Sequence, residues 1–478
     1  MAKTEYDLCI IGGGAAGLVA AAGAATLGAK VVLVEKHRLG GDCLYYGCVP
    51  SKALLHSAHV AHTAREAARF GINATLHPVQ LADVMQRVNT VIRAIEPNDS
   101  PERFRKLGVE VIFGSGHFTA PDRFEVDGRV LCARKFVLAT GSRPAIPAIP
   151  GIDSIPYLTN ETVFSLQEAV PQIIIILGAG PIGTEMAQAF ARLGSRVHVV
   201  QRGARVLPRE DADLVQVLAN KLGSDGVEFH LDCKSTRVER SSTGIRLHIT
   251  SQETGATTAL DASHLLVATG RQLNLESLGL ELAGVAVSQG RLQLDQRLRT
   301  ANKRIYACGD IGGPYQFTHM AEHQAGVVLR NALFHLPAKT QTSNIPWCTF
   351  TDPELARVGL SEAEAKAQSI PHRVYTFPFH DIDRAQTDGV TEGLAKIITR
   401  PNGRLLGAAL VGPRAGELIH EYVLAISRNM KVSDLSKVIH IYPTLAQINR
   451  RVADQRLKEG LTPRTKKWIK RLFRLRGT

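Results

Sequence analysis

Two glycine-rich turns, each between a short apolar strand and a helix, constrain the fold of this chain more than any other feature. The first turn follows an apolar run at residues 8–11, and a further strand at residues 30–35 ends in Glu35. Its glycines, in the pattern GxGxxG, are Gly12, Gly14 and Gly17. Such glycines permit a tight turn and close approach to a pyrophosphate, whose charge lies at the helix N-terminus. The acid is placed to bind a ribose hydroxyl, so the pattern predicts a dinucleotide-binding unit.

The same pattern recurs after an apolar run at residues 173–177. Its glycines are Gly178, Gly180 and Gly183. The next strand, at residues 197–200, ends in Gln201 and Arg202 instead of an acid, and Arg205 is close by. A carboxylate there would repel a 2′-phosphate, whereas an arginine would pair with it. We therefore predict NADPH as the preferred nucleotide over NADH; the alternative is that both arginines are solvated surface charges.

Two cysteines, Cys43 and Cys48, follow the first unit and are separated by four residues. Ring closure over so short a loop costs little entropy, so the pair can form a disulfide and reopen reversibly. The residues 47–50, Gly-Cys-Val-Pro, indicate a tight entry into a helix. A helix N-terminus lowers the pKa of a cysteine and favours the reactive thiolate. Two structural thiols that happen to be close are the alternative.

The length and composition of the chain limit its class. A chain of 478 residues predicts two to four domains, and seven cysteines are too few for a disulfide scaffold of this size. The first apolar run begins with no signal peptide before it, and no run is long enough to span a membrane. We therefore expect a protein of the reducing cytoplasm. The net charge of +13 raises nucleic acid or an acidic membrane as partners.

Three further segments complete a recognisable order of motifs. The segments 139–141 and 268–270, each Ala-Thr-Gly, follow apolar strands in matching places after the two units. A third segment ends in Asp310, which can accept hydrogen bonds from the ribityl hydroxyls of a flavin. With these motifs the chain, from about Tyr6 to about Arg456, resembles class I pyridine nucleotide-disulfide oxidoreductases. This group includes dihydrolipoamide dehydrogenase, glutathione reductase and mercuric reductase.

The resemblance implies an α/β fold with two Rossmann-like domains, one binding FAD and one binding NAD(P), and a C-terminal α+β dimerisation domain. The expected segments are an FAD-binding domain (1–148), an NAD(P)-binding domain (149–270), a return to the FAD-binding domain (271–343), the dimerisation domain (344–461) and a basic tail (462–478). Members of the family are usually homodimers whose sites are completed by the partner subunit.

The resemblance also implies roles for individual residues. The FAD ligands would be Gly12, Gly14, Gly17, Glu35, Lys52, Gly116, Gly141, Asp310 and Ala321. The nicotinamide nucleotide ligands would be Gly178, Gly180, Gly183, Gln201, Arg202 and Gly270. Lys52 would lie near the flavin N5 and pair with Glu185. Cys48 would contact the flavin and Cys43 would exchange with substrate, so electrons would pass from NADPH through FAD and this pair to an acceptor. Residues 319–323 match the zinc motif HxxEH, but they correspond to a helix start that faces the flavin, so we expect no metal site.

The chain departs from the family pattern where the acid–base histidine of the disulfide reductases lies. Tyr442 occupies the position of that histidine, and Gln447 that of the glutamate that orients it. A neutral tyrosine, with a pKa usually near ~10, is a poor base at neutral pH. The alternative is that the nearby His440 swings in. Mercuric reductases lack the histidine too, but they receive the metal on a C-terminal cysteine pair, and the last cysteine here is Cys348.

The tail beyond the resemblance is basic and amphipathic. Its seven cations, with no acid among them, are Arg464, Lys466, Lys467, Lys470, Arg471, Arg474 and Arg476. Trp468, Leu472 and Leu475 follow the spacing i, i+4, i+7 of one helix face. Such a helix suits an anionic membrane surface. A helix docked on the protein itself or a disordered basic end is the alternative, and nucleic acid is disfavoured because no second basic cluster accompanies the tail.

Three hypotheses for function follow. The first is an FAD-dependent NAD(P)H oxidoreductase in which the Cys43–Cys48 disulfide passes electrons to a protein disulfide, a quinone or a metal ion. The second is a dihydrolipoyl dehydrogenase that works despite Tyr442. The third, of a different class, is a membrane-associated flavoprotein that senses redox state and turns over slowly.

Overall fold

The computed structural model describes residues 5–242 and 244–476. In chain order the strands are β1 Tyr6–Ile11, β2 Val31–Glu35, β3 Val109–Phe113, β4 Gly116–Ala120, β5 Arg123–Val126, β6 Arg129–Leu138, β7 Ser142–Pro144, β8 Ile173–Leu177, β9 Arg196–Val200, β10 Val227–His230, β11 Cys233–Ser241, β12 Gly244–Ser251, β13 Thr257–Ala262, β14 His264–Val267, β15 Arg271–Leu273, β16 Val287–Ser288, β17 Arg291–Leu292, β18 Ile305–Ala307, β19 Trp347–Thr349, β20 Glu354–Gly359, β21 Arg373–Pro378, β22 Leu394–Thr399 and β23 Leu405–Gly412.

The α-helices, in the same order, are α1 Ala15–Thr26, α2 Gly41–Tyr45, α3 Cys48–Arg65, α4 Leu81–Ile95, α5 Pro101–Lys106, α6 Pro181–Leu193, α7 Ala212–Ser224, α8 Thr318–Leu333, α9 Glu362–Ala367, α10 Asp383–Asp388, α11 Ala415–Leu418, α12 His420–Ser427, α13 Val432–Leu435, α14 Gln447–Gly460 and α15 Pro463–Leu472. The chain forms two compact units. The first comprises residues up to 179, 189–202 and 232–341; the second comprises 180–188, 203–231 and 342 onwards.

A parallel sheet is the centre of the first unit. β1 lies between β2 and β6, with Ile10 opposite Leu33 on one side and Val137 on the other, and β18 continues the sheet beyond β6. Residues 8–11 of β1 are covered on both faces, and they form a continuous apolar run and not an alternating one. The small residues of α1 let it pack closely, and a Cβ on Gly23 would lie only 2.7 Å from Leu329 of α8.

A second set of parallel strands in the same unit carries the other glycine turn. β8 lies between β9 and β14, with Ile175 opposite His198 and Leu265. The predicted strand at residues 173–177 coincides with β8, and the helix predicted after each turn is present. The predicted α/β fold is confirmed.

The second unit has an antiparallel sheet in the order β19-β20-β23-β22-β21. Tyr422 of α12 and Val452 of α14 are among the fully buried side chains of its core. A buried lysine ties this unit together, because the amino group of Lys396 lies 3.2 Å from Asp211, 2.9 Å from Asp213 and 2.6 Å from Glu362. Over the described residues, no helix is both long enough and apolar enough to cross a bilayer.

Candidate functional site

The turn after β1 is so tight that side chains have no room in it. Gly12 has a φ of +109°, and a Cβ there would lie 2.3 Å from the carbonyl oxygen of Ala139. A Cβ on Gly17 would lie 1.8 Å from the carbonyl oxygen of Gly12. Gly14 has extended backbone angles and caps α1. The N-terminus of α1, whose backbone N–H groups favour a phosphate, therefore begins at a turn that only glycine can form.

The carboxylate of Glu35 lies beside this turn at the end of β2. Its Oε2 accepts a hydrogen bond of 2.7 Å from the backbone N–H of Gly13, and its Oε1 accepts one of 2.8 Å from His37. An ionised carboxylate has about four lone-pair positions, so acceptor capacity remains for the hydroxyls of a ribose. The two backbone bonds hold the side chain in place for that contact.

The cysteine-bearing segment packs directly on the first glycine turn. Gly40 and Gly41 have φ values of +106° and +58°, and the short helix α2 begins at Gly41. The N–H of Gly40 donates to the carbonyl of Gly13 at 2.9 Å. A Cβ on Gly41 would lie 2.7 Å from the Cα of Gly14. This glycine-to-glycine contact places Cys43 and Cys48 next to the predicted dinucleotide site.

The two thiols differ in environment. Both are free in this structure; Cys43 is half-buried in α2 and Cys48 is exposed at the first position of α3. A hydrogen bond with Cys43 lowers the pKa of Cys48 to about 6, and desolvation of the sulfur atom itself, in a residue that is otherwise exposed, opposes this change. The same hydrogen bond, together with burial, raises the pKa of Cys43 well above the usual range.

Two further groups stabilise the Cys48 thiolate. Thr318, at the start of α8, places its Oγ1 3.5 Å from the sulfur of Cys48. After the hydrogen bonds of Cys43 and Thr318, the positive charge of Lys52 lowers the pKa of Cys48 further. Thiolate character and an exposed position are what a reactive cysteine needs. These contacts favour the thiolate form of Cys48, whereas the pKa of Cys43 lies above its usual range.

An ion-pair network adjoins Cys43. Asp42 lies 3.1 Å from Arg271 through its Oδ2, and its Oδ1 accepts a hydrogen bond of 3.1 Å from Asn160. Arg271 also donates from Nε to the hydroxyl of Ser142 at 2.7 Å. The arginine is mostly buried, and its Nε lies 3.7 Å from Asp310. One guanidinium therefore connects the redox turn with the acid predicted to bind the flavin.

Asp310 is suited to receive hydroxyl groups. It follows β18 and accepts a hydrogen bond from Ser142. Burial raises the pKa of Asp310, while Ser142 and the charge of Arg271 oppose that increase. A largely buried carboxylate with only these partners has lone pairs left for a ligand.

The other residues predicted to bind FAD lie in several different elements of the first unit. Lys52 is in the first turns of α3 and Ala321 is buried in α8. Gly141 has a φ of +67°, and its carbonyl accepts a hydrogen bond of 3.0 Å from Asn274. Gly116 lies in β4, where its neighbours are side-chain and backbone atoms of β5.

The glycine turn after β8 has the same geometry as the turn after β1, except that Gln201 takes the place of Glu35. Gly178 has a φ of +102°, and a Cβ there would lie 2.5 Å from the carbonyl oxygen of Ala268. The Oε1 of Gln201 accepts a hydrogen bond of 3.1 Å from the N–H of Ala179, as Glu35 does from Gly13. A neutral amide therefore takes the place of the carboxylate.

The other residues predicted at this turn are placed as follows. Arg202 is exposed, and its carbonyl accepts a hydrogen bond of 2.6 Å from Gln252. Gly270 has a φ of +140°. Gly180 and Gly183 belong to the second unit, at the start of α6. Glu185, in the same helix, is buried and accepts a hydrogen bond of 2.9 Å from the N–H of Phe350.

The segment that departs from the family pattern lies in the second unit. The imidazole of His440 is held on both sides, with Nδ1 3.1 Å from the carbonyl of Val438 and Nε2 3.0 Å from the carboxylate of Glu421. Both ring nitrogens of His440 therefore have hydrogen-bond partners within the second unit. Tyr442 is 64% exposed and donates a hydrogen bond of 3.0 Å to Asp383, which raises the pKa of the phenol. Tyr442 therefore offers a hydrogen-bond donor and not a base.

Sequence reasoning did not find three residues that complete the redox turn: Thr318, Asn160 and Arg271. Arg271 directly follows the second Ala-Thr-Gly segment, which is a signal that could have identified it. Thr318 and Asn160 are single polar residues in segments distant from the cysteines, so no local pattern marks them. Tyr45, in contrast, is buried and donates to Glu96 at 2.8 Å, as an interpretation of packing predicts.

Comparison with known proteins identifies the family. Residues 6–325 match the family of pyridine nucleotide-disulphide oxidoreductases, and residues 345–452 match the dimerisation domain of the same family. The chain belongs to this family. The match to the dimerisation domain supports a homodimer, and the family as a whole uses FAD and NAD(P)H. The chain is accordingly a FAD-dependent pyridine nucleotide oxidoreductase.

The proteins that resemble this oxidoreductase have different activities. It is 36% identical over 450 residues to a dihydrolipoyl dehydrogenase of Chlamydia muridarum, covering 93% of this chain and 95% of that protein. It is 33% identical over 445 residues to a mercuric reductase of Bacillus cereus, covering 93% of this chain and 70% of that protein. The Cu(II) complex of the HOCl-induced flavoprotein disulfide reductase RclA from Escherichia coli superimposes with a TM-score of 0.84 at 28% identity, covering 95% of this chain and all of that one.

The residues of the first unit fit FAD. The glycine turn has no room for any Cβ at Gly12 or Gly17, Glu35 keeps free lone pairs, and Asp310 is a partly buried acceptor bonded by Ser142. Each of these features matches one part of the cofactor: the pyrophosphate, the ribose and the ribityl chain. The cysteine turn packs against the same glycines, so a flavin bound there would have the redox pair as its neighbour.

Proposed function

We propose that this oxidoreductase takes electrons from NADPH, passes them through FAD to the Cys43–Cys48 pair, and delivers them to an acceptor other than glutathione or lipoamide. The observation that carries the proposal is the position of the cysteine pair, whose segment packs on the glycine turn after β1, with the Oγ1 of Thr318 3.5 Å from the sulfur of Cys48. The proposal assigns the FAD and nucleotide roles to the residues predicted from the sequence, with the domain boundaries predicted there.

Two electrons pass from the nicotinamide to the Cys43–Cys48 disulfide. FAD, when bound, accepts a hydride from the nicotinamide and supplies two electrons to the disulfide. The disulfide takes up these two electrons and one proton, so that Cys43 becomes a thiol and Cys48 a thiolate. Thr318 and Lys52 stabilise the thiolate, and we propose that Lys52 pairs with Glu185 in the working site. Cys43 is the leaving group when the S–S bond breaks. It keeps the proton and reacts with the acceptor.

The contacts of Tyr442 and His440 indicate which class of electron acceptor the cysteine pair reduces. Thiol–disulfide exchange needs a group that takes a proton from the attacking thiol and returns it to the leaving thiol. Tyr442 has a raised pKa and His440 is engaged at both nitrogens. Reduction of a metal ion or a quinone breaks no S–S bond in the acceptor. It therefore needs no group that returns a proton to a leaving thiol. The copper complex of the Escherichia coli relative makes Cu(II) the first ion to test.

The nucleotide preference rests on Gln201. Its amide holds the position that Glu35 holds in the FAD unit, so no negative charge opposes a 2′-phosphate. Arg202, exposed beside it, supplies a cation. We expect Arg202→Ala to raise the KM for NADPH far more than that for NADH, and Gln201→Glu to have the same selective effect. Equal changes for both nucleotides would refute the assignment.

The first experiment is an anaerobic titration of the FAD-loaded protein with NADPH and then NADH, followed by visible absorbance. A long-wavelength thiolate-to-flavin band should appear in the wild type and be absent in Cys48→Ser, whereas Cys132→Ser, a cysteine outside the site, should keep it. Bleaching to reduced flavin without the band would exclude the cysteines from the path. Turnover should then be compared with Cu(II), a benzoquinone, oxidised glutathione and lipoamide.

The competing hypotheses make different predictions in the same assays. Rapid NAD⁺-dependent oxidation of dihydrolipoamide would establish a dihydrolipoyl dehydrogenase. Negligible turnover with every acceptor would favour a redox sensor. We further propose that the protein acts as a homodimer in the cytoplasm, at the inner face of the membrane, where its basic tail provides the contact.

A further inference from the structure

The C-terminal tail, residues 462–476, contains the helix α15, Pro463–Leu472, which lies on the surface of the described chain. Thr462 caps α15 through a hydrogen bond of its side chain with the N–H of Thr465, and Pro463 occupies the first turn. The cap and the proline are typical start signals of a stable helix. No residue of α15 is buried. The helix thus forms without a partner surface of its own.

The tail separates apolar and basic side chains onto opposite faces. At about 100° per residue, Trp468, Ile469 and Leu472 share one side of α15, and its five cations lie on the remaining side. The helix ends at Leu472, and Phe473 and Leu475 lie in the segment that follows it. The exposed apolar side chains are Trp468 (69% exposed), Leu472 (57%), Phe473 (67%) and Leu475 (54%). Burying such a face is favourable, so an apolar stripe left in water on one side of a cationic helix indicates a surface that binds something.

The charges of the tail have no partners, unlike those of the helix before it. In α14, Arg450 lies 3.9 Å from Asp454, and Arg456 donates to the hydroxyl of Tyr375 at 3.0 Å. None of the seven tail cations has an ion pair within the described chain, and no acid lies between residues 462 and 476. The partner that this face fits is therefore anionic.

We propose that the tail docks on the surface of an anionic phospholipid bilayer, with the apolar face in the acyl boundary and the cations among the headgroups. An anionic bilayer uses both faces together, because it offers an apolar interior next to negatively charged headgroups. A second copy of the chain fits poorly, because without the tail the chain still carries a charge of +6 and would repel the cations. Trp468, with a polar indole N–H on an apolar ring, suits the interface. The electron acceptor need not be lipid-soluble for this proposal to hold.

The test uses full-length, FAD-loaded protein and sedimentation with vesicles of phosphatidylcholine alone or mixed with phosphatidylglycerol. We expect binding to the mixed vesicles only, weakened by added salt. Lys467→Gln with Lys470→Gln should lower partitioning roughly 30-fold, from about 1 kcal/mol for each lysine near the surface. Lys303→Gln with Lys339→Gln changes the net charge equally at exposed sites outside the tail, and should leave partitioning unchanged.

The apolar face has its own variants. Trp468→Ala should lower partitioning about tenfold, whereas Phe334→Ala, an exposed aromatic outside the tail, should not. The emission of Trp468 should shift to shorter wavelength on mixed vesicles and show no shift in Trp468→Phe, which leaves Trp347 as the other tryptophan.

Three results would overturn the proposal: equal binding to both kinds of vesicle, unchanged binding after deletion of residues 462–478, or conversion of a dimer to a monomer by that deletion with no vesicle binding by the wild type. The last result would identify a second copy as the occupant. NADPH-dependent reduction in solution should be unaffected by the deletion, so a failed redox proposal and a failed membrane proposal can be told apart.

Discussion

The hydrogen bond between the two thiols is the contact of the redox pair that a single substitution tests best. It is the largest cause that lowers the pKa of Cys48 to about 6. Cys43→Ala removes the donor, whereas Cys43→Ser keeps a donor of similar size in the same position. We expect the pKa of Cys48 to rise in the alanine variant and to stay near 6 in the serine variant.

The magnitude follows from the strength of a hydrogen bond to a charged group. Such bonds contribute about 1.5–3 kcal/mol. Because Cys48 is exposed, solvent weakens the interaction and we take the lower end, about 1.5 kcal/mol. That energy corresponds to a rise in the pKa of about one, to roughly 7. At about pH 6.5 the thiolate fraction would then fall from roughly three quarters to one quarter.

The assay is the rate of alkylation of Cys48 by iodoacetamide as a function of pH, with the modified peptide identified by mass spectrometry. The wild type is reduced first so that both thiols are free. Near pH 6.5 the alanine variant should react about threefold more slowly than the serine variant, and the two rates should converge well above pH 8. Equal titration curves for the two variants would show that this hydrogen bond does not stabilise the thiolate.

Further variants test the scaffold. Gly17→Ala should lower the melting temperature and release FAD, because its Cβ would overlap a carbonyl oxygen at 1.8 Å, whereas Gly223→Ala, in open space on α7, should stabilise by at most about 1 kcal/mol. Lys396→Met removes the buried ammonium group from beside three carboxylates, of which Glu362 keeps its ion pair with Lys366, and should cost about 3–5 kcal/mol. In the wild type, hydrogen bonds from Lys366 and Lys396 lower the pKa of Glu362 to about 2, so melting curves should show this stability complete above about pH 4.5 and lost as the pH falls towards 2.

The parts of the fold that could be predicted from the sequence are those with a local cause. A continuous apolar run before a glycine turn identifies a buried parallel strand, and the predicted run at residues 173–177 is β8 without any change of boundary. The predicted strand at residues 8–11 begins two residues earlier in the structure, because the polar Asp7 interrupts the apolar pattern while Tyr6 is buried. The short helix α2 was not predicted, since its glycine start and five-residue length leave no periodicity to detect.

The candidate site shows the same division between local and distant causes. The positions of Glu35 and Gln201 follow from strand–turn–helix spacing alone, and in the structure each side chain accepts the same backbone hydrogen bond. The environment of the thiols does not follow from spacing. Thr318 reaches Cys48 only because α8 begins beside α3, which is a consequence of how the whole first unit packs.

The ion pair between Asp42 and Arg271 is the clearest case of a property that a motif cannot reveal. The sequence shows an acid directly before Cys43, and by itself that charge would disfavour thiolates next to it. The structure supplies the missing part, because Arg271 lies 3.1 Å from the acid and also approaches Asp310. One mostly buried guanidinium therefore lies close to two carboxylates, one at the redox turn and one at the residue predicted to bind the flavin. The charge of Asp42 still raises the pKa of both thiols, and its pairing with Arg271, which is distant in the chain, becomes visible only when the fold brings the two together.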